Sequence, residues 1–197
     1  MDVRDHGGRW MILLYTFVDD LELLDRQVES LGFLAQPLSD WIRDIVVVSG
    51  NCEGEFDYSE WIAACWGTDD LLLMEQDIVP TLSQLSQAKR LFHEQHLFAF
   101  PYYLYPASTL LDAPVLSHRV KDANYTRGWR WGTLEDRWAD FVGFGFTGIS
   151  KYIQTHVPVT FFDKKSWKDL DTQFSFEMQD RGLGWYIPRS VVRHNHV

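Results

Sequence analysis

Two carboxylates directly follow a short apolar run in the sequence. Residues 71–74 read LLLM, and Glu75 and Asp77 come next, before Pro80. On an extended chain, side chains two positions apart point the same way, so both carboxylates would share one face. No Lys or Arg stands beside them, and hard oxygen donors are the ligands that Mg²⁺ and Mn²⁺ prefer. The spacing therefore predicts a divalent metal site at a strand end; a solvated acidic strand end is the alternative.

A histidine pair stands near the end of the sequence. His194 and His196 alternate along a predicted strand and would share a face. A neutral imidazole is a good ligand for Mn²⁺ or another transition metal. The pair predicts a further metal ligand, whereas a solvated tail would give the same pattern.

Two aspartates are candidates for a general base. Asp169 and Asp171 fall in the first turns of a helix that we expect to be capped by Ser166 and to end at Gly182. A carboxylate in such a place can take a proton from a hydroxyl group. The helix dipole alone also favours acidic residues in a first turn, so a structural role is the alternative.

Tryptophans and arginines are concentrated in residues 117–140, which we expect to form a long loop or flap. The faces of Trp129 and Trp131 suit the C–H side of a pyranose ring, and Arg127 and Arg130 could contact phosphates. The segment predicts a sugar-binding surface. A surface loop that packs its tryptophans into the core is the alternative.

Three apolar runs must position these side chains. Residues 11–18, 45–48 and 71–74 are apolar or β-branched stretches, typical of strands that are buried on both faces. Helical patterns follow the first two, beginning at Asp19 and Ser59. This order predicts an α/β fold with a mixed, mostly parallel, Rossmann-like central sheet and helices on both faces.

The carboxyl ends of the predicted strands should lie together and form the ligand-binding edge of the sheet. Thr16 and Phe17 end the first strand, Asp19 follows it, and Asn51 follows the second. We expect these residues to contact the base and ribose of a nucleotide. Asp19 is also explained as a helix cap, and Asn51 as the end of a turn.

The second half of the sequence is less regular. We expect helices over residues 81–93 and 149–156, and a strand over residues 97–100. A strand pair over residues 185–187 and 191–196 would close the chain.

Length and composition favour one domain with a large core. The 197 residues are 46% hydrophobic and carry a formal net charge of −10. No dense Lys/Arg stripe is present, so nucleic acid is not an expected partner. Two cysteines suit neither a disulfide framework nor a zinc site. No apolar run approaches the roughly 20 residues of a membrane span, and we expect a cytoplasmic protein.

Several segments together resemble GT-A-fold glycosyltransferases. The first two strands of the family's nucleotide-binding half resemble MILLYTFVDD and IVVVSGN. The family's strand with the DXD-type motif resembles LLLMEQDIVP. The glycine-rich segment before the acceptor-side helix resembles FVGFGFTGIS. The helix with the catalytic carboxylate resembles WKDLDTQFSFEMQDRG, and the C-terminal histidine of the metal shell resembles HNH. In size and motifs the chain is also similar to small glycosyltransferases encoded by crenarchaeal viruses.

The resemblance implies a metal and donor site. Glu75, where aspartate is more usual, and Asp77 would hold a divalent metal, Mn²⁺ or Mg²⁺, that bridges the diphosphate of the donor. Gln76 would lie beside the donor, and His194 would complete the metal shell.

The resemblance also implies a base and an acceptor site. Asp171 best fits the family's spacing for the catalytic carboxylate, and Asp169 is close behind. Gly143, Phe144 and Gly145 would border the acceptor, together with the tryptophans named above. The glycines are alternatively explained by a β-bulge. Within a single domain of residues 1–197, about 11–80 would form the nucleotide-binding half and about 81–197 the acceptor-binding half.

The implied function is that of a metal-dependent glycosyltransferase, which would move a sugar from a UDP- or GDP-type donor to a hydroxyl of a glycan, glycoprotein or lipid. We expect inversion, because a carboxylate is available as base, and retention stays open. If the chain is viral, it would act in the host cytoplasm. A sugar-phosphate nucleotidyltransferase is one alternative, although TFVDDLELLDRQ lacks the usual glycine-rich, basic loop. A non-catalytic binding module of a larger assembly is another.

Overall fold

Strands outnumber helices in the part of the chain that the structure describes. The structure, a computed structural model, describes residues 11–18, 42–50, 58–75, 78–105, 115–158 and 170–194, with the backbone alone for 11–18, 42–50, 58–61 and 105. The strands are β1 (Met11–Val18), β2 (Ile42–Gly50), β3 (Asp70–Glu75), β4 (Ile78–Val79), β5 (Leu97–Ala99), β6 (Tyr103–Tyr105), β7 (Val115–Leu116), β8 (His118–Lys121), β9 (Trp129–Trp131), β10 (Trp138–Ala139), β11 (Phe141–Val142), β12 (Phe146–Ile149), β13 (Trp185–Tyr186) and β14 (Arg193–His194). The helices are α1 (Tyr58–Cys65), α2 (Leu82–Glu94), α3 (Lys151–His156) and α4 (Leu170–Asp180).

A seven-stranded mixed sheet forms the centre of the molecule. Its strand order is β10-β13-β5-β12-β3-β1-β2. Strand β1 is parallel to β2 and β3, and β13 is parallel to β5. Strand β12 is antiparallel to both β3 and β5, and β10 is antiparallel to β13. The three smaller sheets, β11-β8-β9, β14-β4 and β6-β7, are all antiparallel. Strands from both predicted halves of the chain therefore join one sheet.

The predicted mostly parallel, Rossmann-like sheet of a GT-A fold is wrong. Three neighbouring pairs of the central sheet are parallel (β1–β2, β1–β3, β5–β13) and three are antiparallel (β3–β12, β5–β12, β10–β13). The apolar runs indicate strands buried on both faces, but burial does not determine strand direction. The glycine-containing segment that forms β12 enters the middle of the sheet and reverses the direction there. The fold is mixed and β-rich.

The carboxyl ends of the first three long strands lie side by side, as predicted. Thr16 of β1 lies opposite Val48 of β2 on one side and Glu75 of β3 on the other. This register brings the start of the acidic motif to the same edge as the end of β1. The prediction is confirmed for the backbone.

The alternation of side chains along β3 divides the core in two. Leu71 and Leu73 belong to one buried cluster, and Leu72 and Met74 belong to the other. The first cluster also contains side chains of α1, α3 and α4, and the second receives the apolar face of α2. Helices therefore cover both faces of the sheet. In the described ranges, no helix has the length and apolar character needed to cross a membrane.

Local sequence signals explain where the described helices begin and end. Thr81 and Gln84 form a reciprocal capping box at the start of α2: the Thr81 hydroxyl accepts from the Gln84 N–H at 3.3 Å, and the Gln84 side chain accepts from the Thr81 N–H at 2.8 Å. Ser150 caps α3. Gly67 and Gly182, with φ of 84° and 71°, follow α1 and α4 in the left-handed conformation that ends helices. The predicted helix after Asp19 lies outside the described residues.

Two predictions for the second half of the chain are wrong. Residues 117–140 do not form a long loop, because β8 and β9 make an antiparallel hairpin that pairs with β11. The two closing strands do not pair with each other. Strand β13 joins the central sheet between β5 and β10, whereas β14 pairs with β4.

Candidate functional site

A pocket of about 240 Å³ lies between the β11-β8-β9 sheet and the first described turn of α4. It brings together four of the predicted site residues, which come from three separate segments of the chain. They are Trp129, Trp131, Gly143 and Asp171. The pocket therefore combines aromatic surfaces with a carboxylate.

One face of the small sheet supplies the aromatic wall. Arg119 lies opposite both Trp131 and Phe141, and Lys121 lies opposite Trp129. Residues directly opposite each other, and residues two apart, share a face of a sheet, so these five side chains share one face. The ring of Trp129 meets the ring of Phe141 nearly edge-on at 4.2 Å between centroids. The Arg119 guanidinium carbon lies 4.4 Å from the centroid of the Trp131 ring.

The other face of the hairpin carries a neutralised arginine. Arg130 donates to both carboxylate oxygens of Asp136, at 2.7 and 2.5 Å, and lies 3.7 Å from Asp122. The hydrogen bond from Arg130 holds the pKa of Asp136 down at about 2, and the same contact raises the pKa of Arg130. The Thr133 N–H also donates to Asp136, at 2.7 Å. Arg130, predicted as a phosphate contact, instead fixes the loop that follows β9.

Asp171 presents the candidate basic group. It lies in the first described turn of α4, is partly buried and lines the pocket. One of its carboxylate oxygens accepts from the Thr172 N–H at 2.6 Å. Helix α4 is anchored beneath the pocket by Phe174 and Met178, which are fully buried. The other candidate base, Asp169, lies outside the described residues.

The glycine-rich segment makes room for a tyrosine. A Cβ at Gly143 would lie 2.5 Å from the Tyr102 hydroxyl oxygen, and one at Gly145 would lie 2.5 Å from the Tyr102 ring. A side chain at either position would therefore displace Tyr102, which also lines the pocket. Phe144 points elsewhere: it is buried in the core, with its ring 6.1 Å from that of Phe174. Of the three predicted acceptor residues in this segment, Gly143 borders the pocket and Phe144 packs the core.

The predicted metal ligands lie next to this segment. The Glu75 N–H donates to the Gly145 carbonyl at 2.9 Å, which joins the end of β3 to the glycine segment. His194 lies opposite Ile78, the residue after Asp77. Strand pairing therefore brings His194 beside the chain that continues from the acidic motif, although Gln76 and Asp77 themselves lie outside the described residues.

The imidazole of His194 is oriented in the way that metal ligands usually are. Its Nδ1 lies 2.9 Å from the Tyr103 carbonyl oxygen. Since a carbonyl oxygen only accepts, Nδ1 carries a proton, and in a neutral imidazole Nε2 then carries the lone pair. Histidines that bind metals commonly donate their other N–H to a backbone carbonyl in this manner. The tautomer of His194 therefore suits coordination.

The donor set of the described residues fits a divalent cation in type. Glu75 offers a carboxylate and His194 an imidazole, a combination that suits Mn²⁺ better than Mg²⁺. No group of three or more His, Cys, Asp or Glu that could hold a metal occurs among the described residues. The predicted third ligand, Asp77, lies outside those ranges.

The predicted donor-binding residues are only partly placed. Thr16 and Phe17 lie in the last half of β1, where their backbones pair with Val48 and Ser49. Asp19 and Asn51 lie outside the described residues. For the predicted nucleotide-binding residues, the structure therefore gives the strand register of Thr16 and Phe17 and no side-chain contacts.

Sequence reasoning did not single out Arg119 or Tyr102. Arg119 lies in a strand that was expected to be a loop, and the short alternating pattern of residues 118–121 was the available signal. Tyr102 follows a proline and has no local signal. Its position is revealed only by the two glycines that pack against it.

Comparisons with known proteins bear on the fold. No protein-family model matches the sequence, and no curated protein sequence is similar to it. Solved structures do match, with 37 chains similar in fold. One of them is the crystal structure of A197 from STIV, with a TM-score of 0.55 and 17% sequence identity over 90% of this chain and 82% of that chain. At this identity the likeness concerns the fold alone.

Proposed function

We propose that this chain is a metal-dependent glycosyltransferase that moves a sugar from a nucleotide-diphosphate donor to a hydroxyl group of a glycan, glycoprotein or lipid. The observation that carries the proposal is the pocket in which the Asp171 carboxylate lies together with Trp129 and Trp131. Tryptophan faces bind the apolar face of sugar rings, and a carboxylate beside a bound sugar can accept the proton of its attacking hydroxyl.

The acceptor would be held by the wall of the small sheet. Stacking on Trp129 and Trp131 fixes the plane of the sugar ring, and Asp171 then fixes which hydroxyl is deprotonated. Positioning of two reactants can lower a barrier as much as acid–base chemistry does. A base that acts directly on the acceptor hydroxyl implies a single displacement, so the anomeric centre of the donor sugar would be inverted.

The donor would be bound at the carboxyl ends of β1, β2 and β3. Glu75, Asp77 and His194 would hold Mn²⁺ or Mg²⁺ there. When bound, this cation supplies positive charge to the leaving diphosphate. The hydrogen bond from Glu75 to Gly145 supports the proposal, because it places the end of β3 next to the segment that borders the acceptor pocket.

A donor screen tests the proposal. The protein is incubated with Mn²⁺ or Mg²⁺ and a panel of UDP- and GDP-sugars, and hydrolysis and melting temperature are followed. We expect one nucleotide class to raise the melting temperature only when the metal is present. If no nucleotide sugar binds with either metal, the proposal is wrong.

Three substitutions and one control separate the roles of the carboxylates. Asp77→Asn should weaken metal-dependent nucleotide binding. Asp171→Asn should preserve that binding and lower the rate of transfer by about 10²- to 10⁴-fold, the usual contribution of a general base. Asp180→Asn, at the far end of the same helix and exposed, is the matched control and should transfer normally. Asp169→Asn decides the base: if it abolishes transfer while Asp171→Asn does not, Asp169 holds that role.

A further inference from the structure

We infer that the sugar bound in this pocket carries a negative charge: it is a pyranose with a carboxylate, sulfate or phosphate substituent, and Arg119 recognises that substituent. The inference rests on the proposed function in assigning the pocket to the acceptor. It names the chemical class of acceptor, which neither the fold nor the general reaction determines.

The first reason is the geometry of Arg119. Its guanidinium carbon lies over the ring of Trp131, 4.4 Å from the ring centroid, and both residues line the pocket. The attraction between a cation and an aromatic face needs no acceptor atom, so the contact with Trp131 does not use the N–H donors of Arg119 in conventional hydrogen bonds. Those donors match two oxygens of a carboxylate, sulfate or phosphate group. Trp131 thus holds the Arg119 guanidinium at the pocket while its N–H donors stay available for an anion.

The second reason is the distribution of charge around the hairpin. The chain has 28 acidic and 18 basic residues, so carboxylates are in excess. The ion pairs of the described residues neutralise Arg130, on the opposite face of the hairpin, and Arg181. Arg119 forms no ion pair with any carboxylate in these ranges. Lys121, on the same face of the sheet, forms none either, so this face is basic in an acidic protein.

The third reason is the separation of the two charges in the pocket. Asp171 is contributed by α4 and Arg119 by β8, both line the pocket, and the described residues form no salt bridge between them. An anionic sugar can therefore place its charged substituent at Arg119 and present a hydroxyl to Asp171. A neutral sugar would leave the Arg119 donors to water.

Direct binding of small sugars tests the inference without donor or metal. Tryptophan fluorescence of the intact chain is titrated with methyl glucuronide, glucose 6-sulfate and glucose 6-phosphate, with methyl glucoside as the neutral counterpart. Inorganic sulfate and phosphate are titrated separately. We expect at least one anionic sugar to bind about tenfold more tightly than methyl glucoside and than the free anion, as a charge-assisted hydrogen-bonded pair predicts. Tight binding of methyl glucuronide would identify the substituent as a carboxylate. Tight binding of glucose 6-sulfate or glucose 6-phosphate would identify it as a sulfate or phosphate ester.

Matched variants identify the residue. Arg119→Gln should lower the affinity for the anionic sugar to that for methyl glucoside, and Arg119→Lys, which keeps the charge but not the planar donors, should restore part of the preference. Arg189→Gln makes the same change of charge at an exposed residue that does not line the pocket, and should change nothing. Near-ultraviolet circular dichroism checks that the variants remain folded.

The inference is overturned if the neutral sugar binds as tightly as the anionic ones, if no sugar binds, or if folded Arg119→Gln retains the preference. Equal binding of the inorganic anions also overturns it, because it would show an anion site without sugar recognition. Because these titrations need neither nucleotide nor metal, they can fail while the donor screen succeeds, and they can succeed while the donor screen fails.

Discussion

His118 is the first residue of β8, in the hairpin that carries the aromatic wall of the pocket, and its imidazole is buried. It is 1% exposed, and neither of its ring nitrogens makes a hydrogen bond of normal geometry. Burial lowers its pKa from 6.5 to about 4; Asp136 opposes this shift, Arg130 adds to it, and the nearby backbone of Thr133 opposes it slightly. A Cβ at Gly132 would lie 1.9 Å from its Nε2, so the ring occupies the space that a side chain would need. His118 is therefore held neutral by its surroundings.

This histidine should make the stability of the protein depend on pH. In the unfolded chain the imidazole takes up a proton near pH 6.5, and in the folded chain only near pH 4. The free energy of unfolding should therefore fall as the pH is lowered from about 6.5 to 4, by up to about 3 kcal/mol. Urea unfolding at several pH values measures this, and His118→Phe should flatten the curve in that range. If the stability of His118→Phe depends on pH as strongly as that of the unsubstituted protein, His118 is not the cause of the pH dependence.

The Arg130–Asp136 pair should act in a different pH range. The pKa of Asp136 is lowered from 3.8 to about 2, so its contribution to stability is present above pH 3.8 and is lost as the pH falls from 3.8 to 2. The two ranges scarcely overlap. Asp136→Asn should therefore change the unfolding curve below pH 4 and leave the slope between pH 4 and 6.5 intact.

Gly145 should tolerate no side chain, because of Tyr102. Gly145→Ala places a methyl group 2.5 Å from the Tyr102 ring, and we expect a loss of about 1–3 kcal/mol in stability, as in other overpacked sites. Gly184→Ala is the control, since its Cβ would have no neighbour closer than 3.6 Å. Thermal melts compare the two. Equal melting temperatures would show that Tyr102 can move away without cost.

At the scale of elements, the sequence predicts local structure well and pairing poorly. Thr81 and Ser150 cap α2 and α3, and the glycines at 67 and 182 follow α1 and α4, because caps and left-handed glycines act within a few residues. Strand direction depends on partners that are distant in sequence. The glycine in the middle of β12 shows the difficulty: Gly148 is needed because the ring of Phe98 lies where its Cβ would be, a contact that no local pattern contains.

Gln84 should stabilise the C-terminal segment as well as α2. Its side-chain NH₂ donates to the Ser190 hydroxyl at 2.8 Å and to the Val191 carbonyl at 2.9 Å, just before β14. Thr81→Ala removes only the cap and should cost about 1 kcal/mol. Gln84→Met removes the bonds to both segments and should cost more, about 2 kcal/mol. Hydrogen exchange should then increase at residues 192–194 in Gln84→Met but not in Thr81→Ala.

At the scale of the molecule, β3 and β12 belong to both cores. Phe146 lies in the cluster beneath α2, and Ile149 of the same strand lies in the cluster beneath α1, α3 and α4; both are fully buried. We expect unfolding to be one cooperative transition, with the same midpoint by tryptophan fluorescence and by far-ultraviolet circular dichroism. Phe146→Ala should lower the stability seen by both probes equally, by about 3–5 kcal/mol. Separate midpoints would show that the two cores unfold independently.

Residue type and family resemblance point to four residues that line the candidate pocket. Trp129, Trp131, Gly143 and Asp171 were chosen for their chemistry or their family resemblance, and the fold brings these four together. Arg119 was not chosen, because its importance comes from the residue opposite it on the next strand. Residues that are brought together by strand pairing can be identified as a site only when the register of the paired strands is known.

The turn between β8 and β9 has consequences for how such a molecule can diversify. Residues 122–128 are mostly exposed and close on themselves through bonds between Asp122 and Gly128 and between Tyr125 and Gly128. Insertions or exchanges there would leave the central sheet untouched. In the glycine segment, by contrast, a side chain at Gly143 or Gly145 would collide with Tyr102. Under the proposed function, related proteins could differ in the glycan they modify by differing in this one hairpin. The residues that bind the nucleotide sugar would stay the same.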